Sequence, residues 1–344
     1  MRRLAPCVAV VAGLVMTVAT GCGAPAETDR GAAAGSAGAS AAGPITVDSC
    51  GREVVFDSPP ERVLAIGSEA PSLLVAAGVG DKVTHYAGSL AVPFDAATKT
   101  VVEGAEHVIE DSHALSFEAI INTGVDVAIG TDIGAGVDLD GLADRLAQAG
   151  VQLLTVSGYC AGIEGRTTAG LSGFDLIYRD VETYGRVFGT EQVAAGAVAG
   201  MRDRVAAATE QAGAQSERRA VPLYVRAEGP LGSYGGQSLV SEQMTLLGLD
   251  NVFGGVAKRY FEPTTEELVN GAPDLVFAIF LPTGSSALET DQDVVAELRS
   301  RPELAGIPSV ADDAALLPLN YYYTSPGPLA IDGLELMAAR LAGP

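Results

Sequence analysis

The chain has 344 residues, and its 21 basic and 43 acidic side chains give a formal net charge of −22 at pH 7. A surface this acidic argues against nucleic acid and anionic lipid headgroups as partners, because like charges repel across an interface. The length exceeds what one hydrophobic core usually serves, so we expect more than one lobe.

The N-terminal segment is predicted to be an export signal rather than part of the fold. Two arginines precede an uncharged apolar run, residues 4–19, which is shorter than the ~20 residues that a membrane span needs. Small residues then lead to Cys22, a pattern that resembles the lipobox of bacterial lipoproteins. We therefore predict a signal peptide over residues 1–21 and lipidation of Cys22, the alternative being an ordinary secretory signal cut near Ala24.

Residues 22–43 are predicted to form a flexible tether, since their Ala, Gly, Ser and Pro cannot bury enough apolar surface to fold. No later stretch offers ~20 uninterrupted apolar residues, so the body is expected to be soluble. It would meet the membrane through the lipid anchor only, on the outer face of the cell membrane.

Two cysteines remain once Cys7 and Cys22 are assigned to the signal and the lipid. An exported chain meets oxidising conditions, in which two remaining cysteines can pair. We predict a disulfide between Cys50, placed in the first strand, and Cys160, which follows an apolar strand. This bridge would join the start of the N-terminal lobe to its end, and two buried free thiols are the alternative.

The body begins with a predicted hairpin at residues 45–48 and 52–56, followed by a buried strand at 63–66. Ser68 is expected to cap the next helix, and Gly78 to end it. Strands and helices alternate through the rest of this region, which indicates an α/β lobe with a mostly parallel sheet.

Apolar residues at helical spacing then predict a long helix, and a second α/β series follows it up to a last helix at 329–342. The predicted boundaries are an N-terminal lobe at 44–173, an inter-lobe helix at 174–189 and a C-terminal lobe at 190–344.

One helix-then-strand unit occurs twice. Glu118 opens an apolar helical turn and Asp126 starts a buried strand eight positions later; Glu266 and Asp274 repeat this arrangement. A duplicated unit indicates two similar lobes, and the cleft between two lobes is a usual place for a small ligand.

These features, in this order and spacing, resemble the substrate-binding lipoproteins of ABC importers for ferric siderophores, cobalamin and haem. The resemblance is carried by residues 63–80, the Glu118 and Glu266 units, the inter-lobe helix and the ending at 302–310. It implies two Rossmann-like α/β lobes with mostly parallel sheets, joined by one long rigid helix. It also implies that Glu118 and Glu266 dock on arginines of the membrane permease; stabilising the helix N-termini is their alternative role.

The ligand is expected on the loops after the strand C-termini, where open α/β sheets bind ligands. Tyrosine offers a rigid surface with a hydrogen-bonding tip, and guanidinium matches the oxygen-rich surface of a chelate. The predicted ligand-binding residues are Ser68, Glu69, Tyr86, Arg226, Tyr234, Tyr321 and Tyr323. Tyr322 is predicted with equal weight to contact the ligand or to pack beneath the cleft. Arg166 and Arg259 are further candidates for ligand binding, the alternative being that both side chains are simply solvated.

Other kinds of site are disfavoured. The three histidines show no metal-ligand spacing, so no bare metal site is expected, although haem with Tyr234, Tyr86 or His85 as axial ligand stays open. Neither a phosphate loop nor a nucleophile elbow with its histidine is present, so we expect neither nucleotide binding nor an enzyme.

The sequence therefore predicts a monomeric receptor without a cofactor, which captures a ferric-siderophore-type chelate between its lobes. It would deliver this chelate to an ABC permease with its ATPase subunits and perform no chemistry on it. Cobalamin or haem is the alternative ligand. A sensor or scaffold lipoprotein of the same fold is the alternative of a different class, and the presence of both docking acids argues against it.

Overall fold

The structure of the protein, a computed structural model, describes residues 43–130, 138–162, 173–213, 218–284 and 286–342. These residues belong to one compact unit. The predicted signal peptide, the tether up to residue 42 and Arg166 lie outside the described residues.

The N-terminal lobe consists of a two-stranded hairpin followed by strands and helices in alternation. Its elements are β1 (Ile45–Ser49), β2 (Arg52–Phe56), β3 (Val63–Ile66), α1 (Ala70–Ala76), β4 (Val83–Ala87), α2 (Ala96–Gly104), β5 (Glu106–Ile109), α3 (Phe117–Asn122), β6 (Val127–Gly130), α4 (Leu139–Gln148) and β7 (Gln152–Thr155). The sheet order is β5-β4-β3-β6-β7 and every pair is parallel, as the alternation predicts.

Two long helices come next, and the C-terminal lobe follows them. These elements are α5 (Gly173–Phe188), α6 (Glu191–Ala212), β8 (Arg219–Tyr224), β9 (Gly232–Tyr234), α7 (Leu239–Leu246), β10 (Asp250–Asn251), β11 (Tyr260–Phe261), α8 (Thr265–Gly271), β12 (Leu275–Phe280), α9 (Asp291–Ser300), α10 (Pro308–Ala311), β13 (Leu316–Asn320) and α11 (Leu329–Ala342). The sheet order is β11-β9-β8-β12-β13, with β10 also paired to β8. Strands β8, β12 and β13 run parallel, whereas β9 and β11 are antiparallel to their neighbours.

The helix α5 joins the two lobes by packing as well as by chain connection. It lies against α1 and β1 of the N-terminal lobe and against α7 of the C-terminal lobe. One buried apolar cluster runs from Ala65 in the first sheet through Ile177 and Tyr184 of α5 to Phe277 in the second sheet. The two sheets therefore share a core across the helix that the sequence predicts between them.

The duplicated unit has the same structural role in both lobes. The carboxylate of Asp126 accepts hydrogen bonds from the backbone nitrogens of Glu61 and Arg62, just ahead of β3, at 2.8 and 2.9 Å. Asp274 accepts one from the backbone nitrogen of Arg219, the first residue of β8, at 2.9 Å. The strand that follows each aspartate is β6 or β12. It pairs with the strand whose first residues the aspartate binds, β3 or β8, and the aspartate therefore fixes the register of that pair.

The predicted disulfide between Cys50 and Cys160 is present. Cys50 lies in the turn between β1 and β2 and not, as we expected, in the first strand. Cys50 and Gly51 both have positive φ, at 53° and 79°, as a two-residue type I′ hairpin turn requires. The bridge joins this turn to the 3₁₀ turn Ser157–Gly162 at the end of the same lobe.

Two smaller expectations concern α1. Its N-cap is Glu69 rather than Ser68, because the helix starts at Ala70 with a proline in its first turn. Gly78 follows its end with φ at 76°, the left-handed conformation expected of a terminating glycine. Among the described residues, no helix is both long and apolar enough to cross a membrane.

Candidate functional site

A cavity of about 610 Å³ lies between the two lobes. Its volume is within the range of roughly 300–1,000 Å³ that small-molecule sites occupy. Its N-terminal wall consists of Gly67, Ser68, Glu69, Gly88, Ser89, Val92, Glu110, Asp111, Ser112, His113 and Tyr159. Its C-terminal wall consists of Tyr224, Arg226, Tyr234, Arg259, Tyr260, Leu281, Thr283, Tyr321 and Tyr322. Most of these residues follow the carboxyl end of a parallel strand, where α/β sheets bind ligands.

The N-terminal wall contains one buried carboxylate, Glu69, of which 4% is exposed. Its Oε1 accepts a hydrogen bond from the Ser68 hydroxyl at 2.8 Å and another from the Tyr159 hydroxyl at 2.9 Å. Burying a charge requires such donors, since an uncompensated carboxylate would be strongly destabilising. The two bonds hold the loop after β3 and the loop after β7 together at the edge of the cavity.

The position of Tyr159 depends on a second buried acid, Asp180 in α5. Asp180 accepts hydrogen bonds from both the backbone nitrogen and the hydroxyl of Ser157, which begins the 3₁₀ turn that contains Tyr159. Burial raises the pKa of Asp180 to about 7, and the bonds from Ser157 oppose that rise. The inter-lobe helix thus fixes one side of the cavity directly.

Four tyrosines form an edge-to-face cluster on the C-terminal wall: Tyr224, Tyr234, Tyr260 and Tyr321. Ring centroids in this cluster are 5.7 to 6.4 Å apart, and the ring planes meet at 70° to 86°. This is the arrangement that aromatic quadrupoles favour. Burial raises the pKa of the Tyr234 hydroxyl well above its usual value, which keeps this hydroxyl a hydrogen-bond donor.

Two arginines contact the tyrosines of this cluster. Arg226 donates to the Tyr260 hydroxyl at 2.7 Å, lies 5.2 Å from the Tyr224 ring centroid and pairs with Glu262 at 3.4 Å. Arg259 donates to the Tyr321 hydroxyl at 3.2 Å. Within the described ranges, no carboxylate lies within ion-pairing distance of Arg259.

Arg259 also crosses the cavity. Its guanidinium carbon lies 5.2 Å from the ring centroid of Tyr159, which belongs to the opposite wall. A cation over a tyrosine face is attracted to it by about 0.5–2 kcal/mol, more when the pair is shielded from water. This contact therefore links the two walls of the cavity.

The structure brings five of the seven predicted ligand-binding residues to the cavity: Ser68, Glu69, Arg226, Tyr234 and Tyr321. It places the other two elsewhere. Tyr86 is fully buried in β4 and donates from its hydroxyl to the Ser89 carbonyl at 2.8 Å, so it supports the cavity loop from below. Tyr323 lines a separate cavity of about 320 Å³ beside α11.

The reason for the Tyr323 correction is the local backbone. Residues Tyr321–Thr324 form a 3₁₀ turn, in which successive side chains point about 120° apart. Tyr321 and Tyr322 consequently face the cavity, and Tyr323 points away from it. Of the three candidate axial ligands for haem, Tyr234 lines the cavity, whereas Tyr86 and His85 do not.

Several residues that line the cavity are absent from the set predicted from sequence, and they differ in whether a sequence pattern could have identified them. Tyr224 is the last residue of β8, and Glu110 and Asp111 follow β5 directly, so the rule about strand ends could have found them. Tyr260 lies in β11, a two-residue strand with no periodicity to detect. Tyr159 follows β7 within the turn that the disulfide holds.

The described part of the chain contains no group of three metal-ligating side chains. The residues that line the cavity offer hydroxyls, guanidinium groups, carboxylates and aromatic faces.

Comparison with known proteins agrees with this geometry. The family described as periplasmic binding protein matches residues 76–314, more than half of the chain. The chain belongs to this family.

Solved structures give the same assignment. A structure titled as the ABC-type Fe3+-hydroxamate transport system of Saccharomonospora viridis is 30% identical, with a TM-score of 0.70, and the match covers 86% of this chain and 98% of that one. A periplasmic heme-binding protein of Pseudomonas aeruginosa is 21% identical, with a TM-score of 0.63 and coverage of 81% and 92%. A periplasmic vitamin B12-binding protein of Vibrio cholerae is 19% identical, with a TM-score of 0.59 and coverage of 82% and 97%. No curated protein matches the sequence.

A periplasmic binding protein is a substrate-binding component of ABC import and not an enzyme. The chain accordingly acts outside the cytoplasm and works with an ABC permease and its ATPase.

The two predicted docking acids of this periplasmic binding protein occupy equivalent positions. Glu118 and Glu266 are each the second residue of a short helix, α3 and α8, and both are exposed. Glu267 differs, because it forms a capping box with Thr264 at the start of α8. Within the described segments, neither the Glu118 carboxylate nor the Glu266 carboxylate forms a hydrogen bond or ion pair with another residue.

Proposed function

We propose that this periplasmic binding protein captures a ferric siderophore complex in the cavity between its lobes. The observation that carries the proposal is the C-terminal wall, where a tyrosine cluster encloses two arginines. The oxygen-rich surface of a ferric chelate accepts hydrogen bonds from tyrosine hydroxyls and guanidinium groups. The similarity to the Saccharomonospora viridis protein, described as an ABC-type Fe3+-hydroxamate transport system, supports this ligand class.

Binding needs little rearrangement of the wall. The tyrosine rings are already packed against each other, and Arg226 and Arg259 are already held by tyrosine hydroxyls. Side chains fixed before binding lose less conformational entropy when the ligand arrives, and this increases affinity. Capture is equilibrium binding, after which the ligand leaves unchanged.

Delivery uses other parts of the chain. We propose that Glu118 and Glu266 dock the loaded protein on basic pockets of the permease, one contact for each lobe. Exposed charges of this kind steer and orient encounter more than they add affinity. We also propose that Cys22 carries the lipid that holds the protein at the membrane, and that the following tether gives it reach.

Calorimetric titration with a ligand panel tests the proposal: a ferric trihydroxamate, a ferric tris-catecholate, haem and cobalamin. Because the chain has no tryptophan, tyrosine fluorescence gives a second reading that comes from the cavity cluster among others. We expect a ferric siderophore to bind with micromolar or better affinity. Exclusive binding of haem or cobalamin, or no ligand better than millimolar, would reject it.

A pair of arginine variants locates the binding. Arg259→Gln is expected to weaken siderophore binding about tenfold, because a charge-assisted hydrogen bond to the chelate is lost. The control is Arg202→Gln, since Arg202 also stacks on a tyrosine, Tyr178 at 4.6 Å, but does not line the cavity. Equal affinities of the two variants would place the ligand elsewhere.

A further inference from the structure

The two walls of the cavity carry opposite charge. The N-terminal wall contains three carboxylates, Glu69, Glu110 and Asp111, whereas the charged groups of the C-terminal wall are Arg226 and Arg259. A bound ligand touches both walls, so its own charge distribution must suit both.

Two acids of the N-terminal wall, Glu110 and Asp111, have exposed side chains at the cavity. Glu110 accepts a hydrogen bond from the Leu90 backbone nitrogen at 3.1 Å and lies 3.6 Å from His107. Asp111 accepts one from the His113 backbone nitrogen at 3.0 Å and lies 3.1 Å from its imidazole. Their side chains are 55% and 68% exposed, and over the described ranges neither is paired with a lysine or arginine.

On the opposite wall the charge is only partly balanced. Glu262 compensates Arg226, whereas Arg259 is surrounded by tyrosines. A ligand that is anionic throughout would be attracted by this wall and repelled by Glu110 and Asp111. A ligand that is cationic throughout would be attracted by Glu110 and Asp111 and repelled by the arginines, and like charges brought together across an interface weaken binding.

Resting on the proposed function, we propose that the ligand is a ferric hydroxamate siderophore with an appended primary amine. Three singly charged hydroxamates balance the ferric ion, so the chelate core is neutral and its oxygens suit the donors of the tyrosine and arginine wall. The ammonium group then lies against Glu110 and Asp111. A tris-catecholate core, by contrast, is strongly anionic and meets repulsion from these acids.

Three chelates with the same coordination core test the inference. They are a linear ferric trihydroxamate with a free terminal amine, the same chelate with the amine acetylated, and the same chelate with the amine succinylated. We expect the free amine to bind about fivefold tighter than the acetylated form, and the succinylated form about fivefold weaker still, as for solvent-accessible ion pairs. The differences should shrink as salt is raised.

Matched variants assign the effect to the cavity acids. Glu110→Gln/Asp111→Asn removes both charges but keeps acceptor oxygens for the local hydrogen bonds, so the three affinities should become equal. Glu53→Gln/Asp57→Asn changes the net charge equally at exposed positions outside the cavity and should keep the order.

The outcomes separate the inference from the function it rests on. Equal binding of the three chelates to the native protein, or the same order in the cavity variant, overturns the inference alone. If none of the three binds while haem or cobalamin does, the proposed function is rejected and the inference falls with it.

Discussion

Removal of the Cys50–Cys160 disulfide should destabilise the protein by about 4–5 kcal/mol. The bridge joins residues separated by 110 positions. The chain-entropy relation for a loop of that length gives about 16 cal/mol/K, or about 4.8 kcal/mol at 25 °C. The variant Cys50→Ala/Cys160→Ala loses this constraint on the unfolded chain. It also loses the fully buried sulfur of Cys160, which adds to the cost.

The turn at Cys50 allows a second and independent check of this reasoning. With φ at 53°, Cys50 adopts a left-handed conformation that costs an ordinary side chain about 1–2 kcal/mol. Asparagine followed by glycine is a favoured pair for this type of turn. Cys50→Asn/Cys160→Ala should therefore be about 1 kcal/mol more stable than Cys50→Ala/Cys160→Ala, although both lack the bridge.

Urea unfolding followed by far-ultraviolet circular dichroism measures both effects. Dithiothreitol should lower the midpoint of the native protein and leave unchanged both variants that lack Cys50 and Cys160. A native midpoint that does not respond to the reductant would refute the bridge. Equal midpoints of the Asn and Ala variants would refute the account of the turn.

Two further predictions concern delivery and pH. Reversing the charges of both proposed docking acids, Glu118→Arg/Glu266→Arg, should abolish uptake by cells while leaving the Kd for ligand unchanged. The control Glu182→Arg, on the exposed side of α5, should change neither uptake nor Kd. A loss of ligand affinity in the double variant would contradict the docking role. Because the folded-state pKa of Asp180, about 7, lies above the ordinary aspartate value of 3.8, the folded protein retains a proton that the unfolded chain has lost between these pH values. The free energy of unfolding should accordingly fall by up to about 1.4 kcal/mol for each unit that the pH rises from about 4 to about 7. Asp180→Asn should remove this part of the dependence in urea titrations at pH 4 to 7, and an unchanged difference between native protein and variant over that range would count against it.

The features that sequence predicts best are those with a long or distinctive pattern. The last helix is observed at Leu329–Ala342, and the strand after the hairpin at Val63–Ile66, both as expected. The inter-lobe helix begins one residue before the predicted start. In each case the apolar spacing alone is decisive, because burial of one face or of both faces selects the structure.

The features that sequence does not predict depend on contacts between distant segments. The strands β9 and β11 have three and two residues, and they form because β9 pairs with β8 and β11 pairs with β9. Tyr260 reaches the cavity only through that pairing. Cysteine is not a residue that signals a left-handed turn, so the positive φ of Cys50 could not be inferred from its type, although the predicted hairpin at residues 45–48 and 52–56 already leaves Cys50 between its strands.

The two sheets differ in a way that separates the tasks of the molecule. The exposed acids Glu118 and Glu266 lie in units that both lobes share, whereas Tyr234, Arg259 and Tyr260 come from the antiparallel edge that the N-terminal sheet lacks. Exchange of this edge between homologues can therefore change the cargo while the surface that carries Glu118 and Glu266, the proposed docking acids, stays constant. A single importer could in this way serve several receptors, and a chimera across β9 and β11 is the natural route to a receptor with altered cargo.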